Sequence, residues 1–517
     1  MAYVGFLFRC YSNPETKLRA GKAPCIKPAA MPEDVQLQSI NHDERTLVLR
    51  RSHAKGPLPD RLDLLPPKPI RNDVLRNSLM AVVEEMIANT GRVRALEHLL
   101  TRALPVFSDG PRPDGIVRED DDLPNATSRA IAAMDRTTLG IQGPPGTGKT
   151  YVSGLSIADL VQSGKRVAVA SNSHKAIGNL LKAVAERAED QALVCSIVQK
   201  VSDAEDADDH PAIIAVTEND APEIRAANVV GSTAWHFARY DAPAFDYLFV
   251  DEAGQVSLAN ILAMGRCAHN IVLVGDPMQL PQPLQGSHPG ESGLSCLEYL
   301  INGHRVIPPE RGIFLPESRR MHPGICRFIS QAVYEGRLES DEAAAAQTLV
   351  SPKGTSLLGA RFEPVEHTGR SQVSPEEIAA IRGQIEAMVG SVYLDRKGKQ
   401  RVVTHDDILV VAPYNAQVNA LRVALPPDIR VGTVDKFQGQ EAPICLVSMT
   451  TSSGEEMPRD LAFLFSLNRI NVAVSRAQAA AIVMASPLLL ETPCRTVEDM
   501  ALVNVPCLLN ELGHDRF

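Results

Sequence analysis

The run Gly143-Pro-Pro-Gly-Thr-Gly-Lys-Thr150 constrains the fold more than any other feature of this sequence. Its glycines allow successive backbone N–H groups to turn toward phosphate oxygens, and a helix that starts at its end adds the positive pole of its dipole. An apolar segment that contains Leu139 and Ile141 precedes the run, and an amphipathic segment that ends at Gly164 follows it. This pattern of strand, loop and helix predicts a parallel α/β domain that binds nucleotide phosphates.

The residue types of this loop have distinct expected roles toward ATP and Mg²⁺, the cofactors that the pattern predicts. Lys149 would contact the β and γ phosphates, and the Thr150 hydroxyl would ligate Mg²⁺. The loop backbone would cradle the phosphates, and its remaining residues are Gly143, Pro144, Pro145, Gly146, Thr147 and Gly148.

A pair of acidic residues further along the chain completes the expected hydrolytic site. Asp251 and Glu252 directly follow the apolar segment Tyr247–Val250. A strand that ends in this way places one carboxylate beside the metal and lets the next one polarise an attacking water. We therefore expect Asp251 to be a metal ligand and Glu252 to be the general base.

Length and composition set the broad class of the protein. The chain has 517 residues, and at ~150 residues per domain this predicts about three domains. Apolar residues make up 44% and charged residues 22%, which excludes a largely disordered chain. The net charge of −10 argues mildly against a nucleic-acid partner, although a phosphate backbone needs only a local basic groove.

The sequence also bears on where the protein acts. No apolar run is long enough to span a membrane, and the N-terminus predicts no signal peptide. The nine cysteines are scattered and form no CxxC motif. This pattern favours a reducing cytoplasm and disfavours a cysteine-bound metal.

The chain divides into four zones. Residues 1–66 are a small β-rich segment, with two strands predicted within 35–51, and residues 67–122 are a helical stalk and linker. Residues 123–315 and 316–517 each contain a group of short apolar segments typical of buried parallel strands, which predicts two successive α/β domains. In the stalk, helical spacing predicts one apolar face: Leu75, Leu79, Val82, Val83, Met86 and Ile87.

Further motifs follow in order and, with the loop and the acidic pair, extend over about residues 123–486. They are the segments 171–179, 275–281, 318–323, 411–417, 433–441 and 468–478. Together they resemble the superfamily 1 helicases, in the branch that holds the RNA-surveillance helicases and the replication helicase–nucleases. They are most similar to the helicase half of bacterial proteins in which a RecB-like nuclease precedes the helicase.

The resemblance implies an α/β fold of two tandem RecA-like P-loop NTPase domains, with ATP in the cleft between them. Arg320 and Arg476 match the arginines that reach the γ-phosphate when the cleft closes. Gln279 matches the glutamine that couples the γ-phosphate to closure, and Glu441 matches a residue near the ribose. The implied activity is an ATP-dependent helicase or translocase, on DNA in preference to RNA and with 5′-to-3′ polarity.

Single-stranded nucleic acid is the implied partner and would lie across both domains. Residues at predicted strand ends match the expected phosphate and sugar contacts: Ser171, Asn172, His174, Lys175, Thr433 and Lys436. Trp235, the single tryptophan, could stack on a base, but core packing is the favoured interpretation of it.

The sequence departs from the family at two positions that bear on the base. Thr127 stands where the family has a glutamine that reads the adenine edge, which leaves strict adenine selectivity unsupported. Arg319 stands where the family often has an aromatic residue, and its planar cation can still stack on a base.

Two alternatives to a DNA motor stay open. Residues 1–120 contain no recognisable nuclease motif, so a nuclease would be a separate partner or a domain outside this chain. The chain could then be a catalytically weak module for nucleic-acid binding or partner docking. Alternatively, the substrate is RNA, since motor motifs contact mainly the backbone.

Overall fold

The computed structural model describes residues 3–9, 21–26, 33–41, 46–60, 62–64, 72–118, 121–282, 288–437 and 439–514. Gln438, within the motif at 433–441, lies outside these residues. The chain separates into two compact units, Met1–Asp73 and Val74–Phe517. Within the described ranges, no helix is long and apolar enough to cross a membrane.

The first unit contains a five-stranded antiparallel sheet in the order β1-β4-β3-β2-β5. Its small core includes Val35, Leu37, Leu49 and Leu58. The two strands predicted within 35–51 are β3 and β4, whereas the other three had no clear alternating pattern. The strands are β1 (Tyr3–Arg9), β2 (Gly21–Ile26), β3 (Glu33–Asn41), β4 (Thr46–Ser52) and β5 (Asp63–Leu64).

The second unit begins with helices that pack on an eight-stranded sheet, and together they are called the first lobe. Its helices are α1 (Asp73–Ile87), α2 (Arg94–Leu100), α3 (Leu123–Ala132), α4 (Lys149–Gln162), α5 (His174–Asp190), α6 (Pro222–Ala226), α7 (Ala234–Phe237), α8 (Leu258–Met264) and α9 (Cys296–Ile301). Its strands are β6 (Thr138–Gln142), β7 (Val167–Ala170), β8 (Ile197–Lys200), β9 (Ile213–Val216), β10 (Val229–Ser232), β11 (Phe245–Val250), β12 (Ala268–Gly275) and β13 (Gly312–Phe314).

All neighbours in this sheet are parallel, in the order β13-β6-β12-β11-β7-β10-β8-β9. The strands β6, β7, β10 and β11 are apolar and almost entirely buried, because helices cover both faces of a parallel sheet. The order places the ends of β6, β12, β11 and β7 side by side. The loops that follow these four strands therefore meet at one edge, where ligands of open α/β sheets bind.

The apolar face predicted for the stalk is wrong in part. Val82 is buried, but Val83 and Ile87 on the same predicted face are 49% and 81% exposed. Ser78 is buried instead, and its hydroxyl donates to the carbonyl of Ala263 at 2.6 Å. The buried face of α1 thus includes a hydrogen-bonded serine, which apolar spacing does not mark. The stalk is two helices, α1 and α2, with a break between them.

The second lobe contains a five-stranded parallel sheet in the order β17-β23-β22-β20-β21, with two smaller sheets beside it. Its strands are β14 (Glu317–Ser318), β15 (Glu339–Ser340), β16 (Thr348–Val350), β17 (Gly359–Pro364), β18 (Val392–Leu394), β19 (Gln400–Val402), β20 (Ile408–Val411), β21 (Arg430–Gly432), β22 (Ala442–Ser448) and β23 (Ala477–Ala485). Its helices are α10 (Pro323–Val333), α11 (Glu342–Ala345), α12 (Pro375–Met388), α13 (Asn415–Ala424), α14 (Leu461–Leu464), α15 (Leu467–Val474) and α16 (Val497–His514).

Both lobes thus have the predicted α/β class, with parallel sheets in tandem. The four predicted strands of the second lobe correspond to β20, β21, β22 and β23.

Candidate nucleotide site and nucleic-acid edge

The phosphate-binding loop connects β6 to α4, as its pattern predicts. Lys149 is the first residue of α4, and its ammonium group donates to the carbonyls of Gly143 and Pro144 at 2.7 and 3.5 Å. Thr147 Oγ1 donates to the same Pro144 carbonyl at 2.9 Å, which closes the loop on itself. The Thr150 residue is exposed at the start of the helix. The loop therefore has the form of a cradle with a cation at its base.

The second lobe contacts this loop directly. Arg319 N donates to the carbonyl of Gly146 at 2.9 Å, and Ser318 Oγ donates to the carbonyl of Pro145 at 3.0 Å. Gly146 has φ of +81°, and a Cβ atom there would lie 2.5 Å from the Cβ of Arg320. Only glycine satisfies both conditions at this point of close approach.

The acidic pair follows β11. This strand pairs with β12, which in turn pairs with β6, the strand that precedes the loop. Asp251 is 8% exposed, and burial together with the Glu252 carboxylate raises the pKa of Asp251 to about 7, against the opposing charge of Lys149. Glu252 has φ of +52°, a left-handed conformation that costs a non-glycine residue of the order of 1 kcal/mol or more. At this turn Asp251 is buried, whereas Glu252 is only half-buried.

Asp276, after β12, forms a third buried carboxylate at this edge. Burial raises its pKa, while Lys149 and several hydrogen bonds lower it. It accepts from Gln279 Nε2 at 3.2 Å and from the Tyr334 hydroxyl at 2.6 Å. Gln279 is 9% exposed, and its hydrogen bond to Asp276 holds its amide beside the cleft.

Tyr334 connects the lobes through this carboxylate, and two asparagines connect them beside it; none of the three was predicted to have a role. Asn471 Nδ2, on α15, donates to the Tyr334 hydroxyl at 2.7 Å and to the carbonyl of Met278 at 2.8 Å. Asn468, one turn earlier, donates to the carbonyl of Pro277 at 2.8 Å. The spacing of the two asparagines on one helical face was a signal for this contact, whereas Tyr334 lies in an apolar segment that gives none.

The two predicted arginines reach the same cleft from the second lobe. Arg320 Nε donates to Glu441 Oε2 at 2.5 Å, and Arg320 Nη1 donates to the carbonyl of Ser475 at 3.3 Å. Arg476 is 4% exposed, and burial and the charge of Arg320 lower its pKa to about 10, against the carboxylates of Glu252 and Glu441. It therefore remains a cation at neutral pH.

Arg476 has unused hydrogen-bonding capacity. One of its nitrogens donates to the carbonyl of Gln440 at 3.1 Å. Its Nε and Nη2 atoms are buried and have no hydrogen-bond partner among the described residues. A buried cation with free donors is costly unless an anion completes it, so this arrangement fits a phosphate in the cleft.

The residues predicted to contact nucleic acid lie at the carboxyl edges of the two sheets. Ser171 and Asn172 follow β7, and His174 and Lys175 begin α5. Asn172 and Lys175 are exposed, whereas Ser171 is 4% exposed and offers little side-chain surface. The Asn172 amide donates to the carbonyl of Gln255 at 2.5 Å, which connects this edge to the acidic turn.

The second lobe presents the corresponding edge. Thr433 follows β21 and is half-buried, and Lys436 is exposed on the short turn Val434–Phe437. Trp235 lies in α7, directly after β10, and is half-buried. Because β10 pairs with β7, Trp235 and Asn172 follow neighbouring strands.

Comparisons with known proteins match the same part of the chain that contains the motifs. Two sequence-family models, both described as AAA domain, match residues 125–289 and 293–487. The chain is 26% identical over 420 residues to the DNA replication ATP-dependent helicase/nuclease JHS1 of Arabidopsis thaliana, covering 75% of this chain and 30% of that protein. Over these residues the chain is similar to helicases of superfamily 1.

Other similar proteins are named for different nucleic acids. The RNA helicase Mov10l1 of Mus musculus is 30% identical over 285 residues, which cover 48% of this chain and 23% of that protein. A solved arterivirus nonstructural protein 10 helicase with DNA is 14% identical, covers 70% of this chain and 62% of its own, and has a TM-score of 0.38. The chain thus spans less than a third of the length of either curated relative.

Proposed function

We propose that this chain is an ATP-hydrolysing motor of superfamily 1 that translocates along or unwinds nucleic acid, with single-stranded DNA as its track and 5′-to-3′ polarity. One observation carries the proposal. Lys149, Asp251 and Glu252 from the first lobe and Arg320 and Arg476 from the second lobe converge on one cleft. Because hydrolysis would depend on groups from both lobes, each turnover would be coupled to a change in the distance between the lobes.

The residues of the first lobe would bind and hydrolyse the nucleotide. The loop from Gly143 to Gly148 would surround the phosphates, and Lys149 would exchange the loop carbonyls for the β and γ phosphates. Thr150 and Asp251 would hold Mg²⁺, which supplies neutralisation of phosphate charge. Glu252 would accept the proton of the attacking water, and Gln279 would be positioned by Asp276 next to that water.

The residues of the second lobe would complete the site when the lobes close. Arg476 already has two free donors, so it can contact the γ-phosphate without losing a partner. Arg320 would have to exchange the Glu441 carboxylate for the phosphate, which leaves Glu441 available to the ribose. Arginines in this role contribute ~10³–10⁵ in rate.

The nucleic-acid track is supported by the polar side chains at the two carboxyl edges. Hydroxyl, amide and lysine groups suit contacts to phosphate and sugar without reading sequence. The relatives are named for both DNA and RNA; the DNA replication helicase/nuclease, which matches more of this chain than the RNA helicase does, favours DNA. The same relative supports a nuclease as partner, either as a separate protein or as a domain beyond these residues.

We further place the activity in the cytoplasm. Seven cysteines in the described part of the chain carry free thiols, which suits a reducing compartment.

The experiment that tests the proposal measures phosphate release from ATP with no nucleic acid, with single-stranded DNA and with single-stranded RNA of equal length. We expect stimulation by DNA and loss of turnover in Lys149→Ala, whose missing charge removes tight ATP binding. Stimulation by RNA alone would correct the substrate. An absence of turnover under all three conditions would favour the alternative of a binding or docking module.

A further inference from the structure

Residues 319–322, here called the arginine segment, connect β14 to α10 and lie in neither a helix nor a strand. The segment carries Arg320, which the proposed function places at the γ-phosphate. Backbone N–H and C=O groups outside regular structure still need hydrogen-bond partners when they are buried. The partners of this segment therefore decide how firmly the backbone of Arg320 is held.

Side chains from outside the arginine segment bind three successive carbonyls within it. The bonds run from Arg396 Nη1 to the Arg319 carbonyl at 2.7 Å, from Gln347 Nε2 to the Arg320 carbonyl at 3.0 Å, and from Ser340 Oγ to the Met321 carbonyl at 2.6 Å. At the end of the segment, the His322 N–H donates to the carbonyl of Gln478 at 2.8 Å. The backbone on both sides of Arg320 is thus fixed by partners outside the segment.

Gln347 is the residue that binds the carbonyl of Arg320 itself. It directly precedes β16 and is 2% exposed. Its Nε2 atom also lies 3.0 Å from the carbonyl oxygen of Ala344 and 3.4 Å from that of Gln478. Because all three carbonyl oxygens are acceptors, only the NH₂ end of the amide can face them. The surroundings of Gln347 thus set the orientation of its amide.

Tyr393 binds the opposite end of this amide. It is 1% exposed and lies on β18, which pairs with β16 and brings Tyr393 opposite Leu349. Its hydroxyl lies 2.6 Å from Gln347 Oε1 and 3.0 Å from Gln478 Oε1. A phenol hydroxyl donates to such oxygens, so it keeps the carbonyl end of the Gln347 amide turned away from Arg320.

These contacts close into a ring around Arg320. Gln478 Nε2 donates to Glu441 Oε1 at 2.9 Å, and Glu441 Oε2 accepts from Arg320 Nε at 2.5 Å. Arg320 is therefore held at its carbonyl by Gln347 and at its guanidinium by Glu441. An exchange of Glu441 for a phosphate breaks only the second of these contacts, and Gln478 still holds Glu441. The side chain of Arg320 can then move while its backbone stays in place.

We propose that Gln347 and Tyr393 are positioning residues for Arg320, which hold its backbone where the guanidinium can reach the γ-phosphate during transfer. The inference rests on the proposed function, because it concerns the same site. An arginine in this role stabilises charge that develops in the transition state. Loss of its positioning should therefore lower kcat, whereas binding of ATP in the ground state should change little.

The test measures DNA-stimulated ATP turnover of Gln347→Met, which keeps the length of the side chain but removes its donors. We expect kcat to fall by ~10², the loss that a displacement of about 1 Å at a reacting group can cause, with KM for ATP little changed. Tyr393→Phe removes only one hydroxyl and should lower kcat in the same way but by a smaller factor.

Gln384→Met is the matched control in the same lobe. Gln384 lies on α12 and accepts from Arg361 Nη2, on β17, at 3.1 Å, a hydrogen bond that does not involve the arginine segment. This substitution should leave kcat unchanged. Thermal unfolding of each variant shows whether it is folded.

Two further measurements separate positioning from a general loss of structure. The affinity for ADP should be the same in Gln347→Met as in the unaltered protein, whereas the affinity for ADP with aluminium fluoride, which resembles the phosphoryl group in transfer, should fall. Added to Arg320→Ala, the Gln347→Met substitution should cause no further loss of kcat, because a positioning residue has no effect once the group that it positions is absent.

The outcomes separate this inference from the proposed function. An unchanged kcat in Gln347→Met, a rise in KM alone, or losses of kcat that multiply in the double variant would overturn the inference and leave the ATP-driven motor intact. An unaltered protein that hydrolyses no ATP would contradict the proposed function and the inference with it. A fall in kcat that disappears in the Arg320→Ala background would establish the positioning role.

Discussion

At the scale of single residues, Asp251 and Glu252 are adjacent carboxylates in different environments. Asp251 is buried at the end of β11, where Lys149 partly offsets the burial that raises its pKa. Glu252 has a left-handed backbone conformation and is half-buried. The two residues thus differ in backbone conformation and in burial, which is consistent with separate roles in metal binding and proton transfer.

We predict that Glu252→Gln lowers turnover by ~10²–10⁴, because the amide keeps the size of the side chain but accepts no proton. ATP affinity should survive, since Lys149, Thr150 and Asp251 remain. Asp251→Asn should instead weaken Mg²⁺-dependent ATP binding. Nucleotide titration and steady-state turnover of both variants provide the check, and a Glu252→Gln variant that loses affinity but keeps turnover would reverse the two assignments.

The Tyr334 hydroxyl is the second residue-scale feature, because it joins Asp276 in the first lobe to Asn471 in the second. We predict that Tyr334→Phe lowers the stimulation of ATPase by DNA more than it lowers the unstimulated rate. The loss of one buried hydrogen bond to a carboxylate should also cost about 1–3 kcal/mol of stability.

A matched control separates coupling from stability. Tyr247 is also buried, but its hydroxyl donates to the carbonyl of Ala132 within the first lobe. Tyr247→Phe should lower the unfolding temperature without changing the ratio of stimulated to unstimulated rates. If both variants left that ratio unchanged, Tyr334 would be a structural contact only.

At the scale of elements, the sequence predicted five of the six inner strands of the first-lobe sheet; it missed the inner strand β8 and both edge strands, β9 and β13. Apolar runs marked β6, β7, β10, β11 and β12, since a strand covered on both faces has few polar positions. β9 was missed because it lies at the sheet edge, where Ile214 is 50% exposed and the apolar signal is diluted. β13 was missed because three residues are too few to form a pattern.

In the candidate site too, some residues were predictable from the sequence and others were not. Loop and acidic-pair residues were predictable because their chemistry requires fixed residue types directly after a strand. The contacts of Tyr334, Asn468 and Asn471 were not, since they join elements far apart in sequence. The exchange of partners expected of Arg320 also depends on Glu441, which only the packed second lobe brings near it.

The short helix α7 carries an element-scale prediction, because Trp235 is half-buried at the strand edge and is the single tryptophan of the chain. The sequence alone favours core packing for this residue, but the side chain is not fully buried. We therefore predict that oligothymidine changes the intrinsic tryptophan emission through stacking on this ring. Trp235→Ala should weaken binding of single-stranded DNA by about 1–3 kcal/mol, and Trp235→Phe by less. Unchanged emission at an oligomer concentration that fully stimulates the ATPase would show that the ring packs inside the lobe.

At the scale of the whole molecule, the net charge of −10 opposes binding to a polyanion. The proposed contacts are nevertheless local, at the carboxyl edges of the two sheets. Lys175 lies at this edge, at the start of α5, whereas Lys165 precedes β7 at the opposite edge and lies 3.6 Å from Asp246. These two lysines distinguish a local binding surface from a general effect of charge.

We predict that affinity for single-stranded DNA falls steeply with salt, with a slope in log K against log salt of about −0.7 for each phosphate contacted. Lys175→Ala should reduce the slope by about one such contact without creating a sequence preference. Lys165→Ala removes the same charge from the molecule and should leave the slope unchanged, because its position is remote from the track. Binding titrations of both variants from low to moderate salt measure this difference. Equal effects of the two substitutions, or a flat salt dependence of the unaltered protein, would contradict a local track on the carboxyl edges.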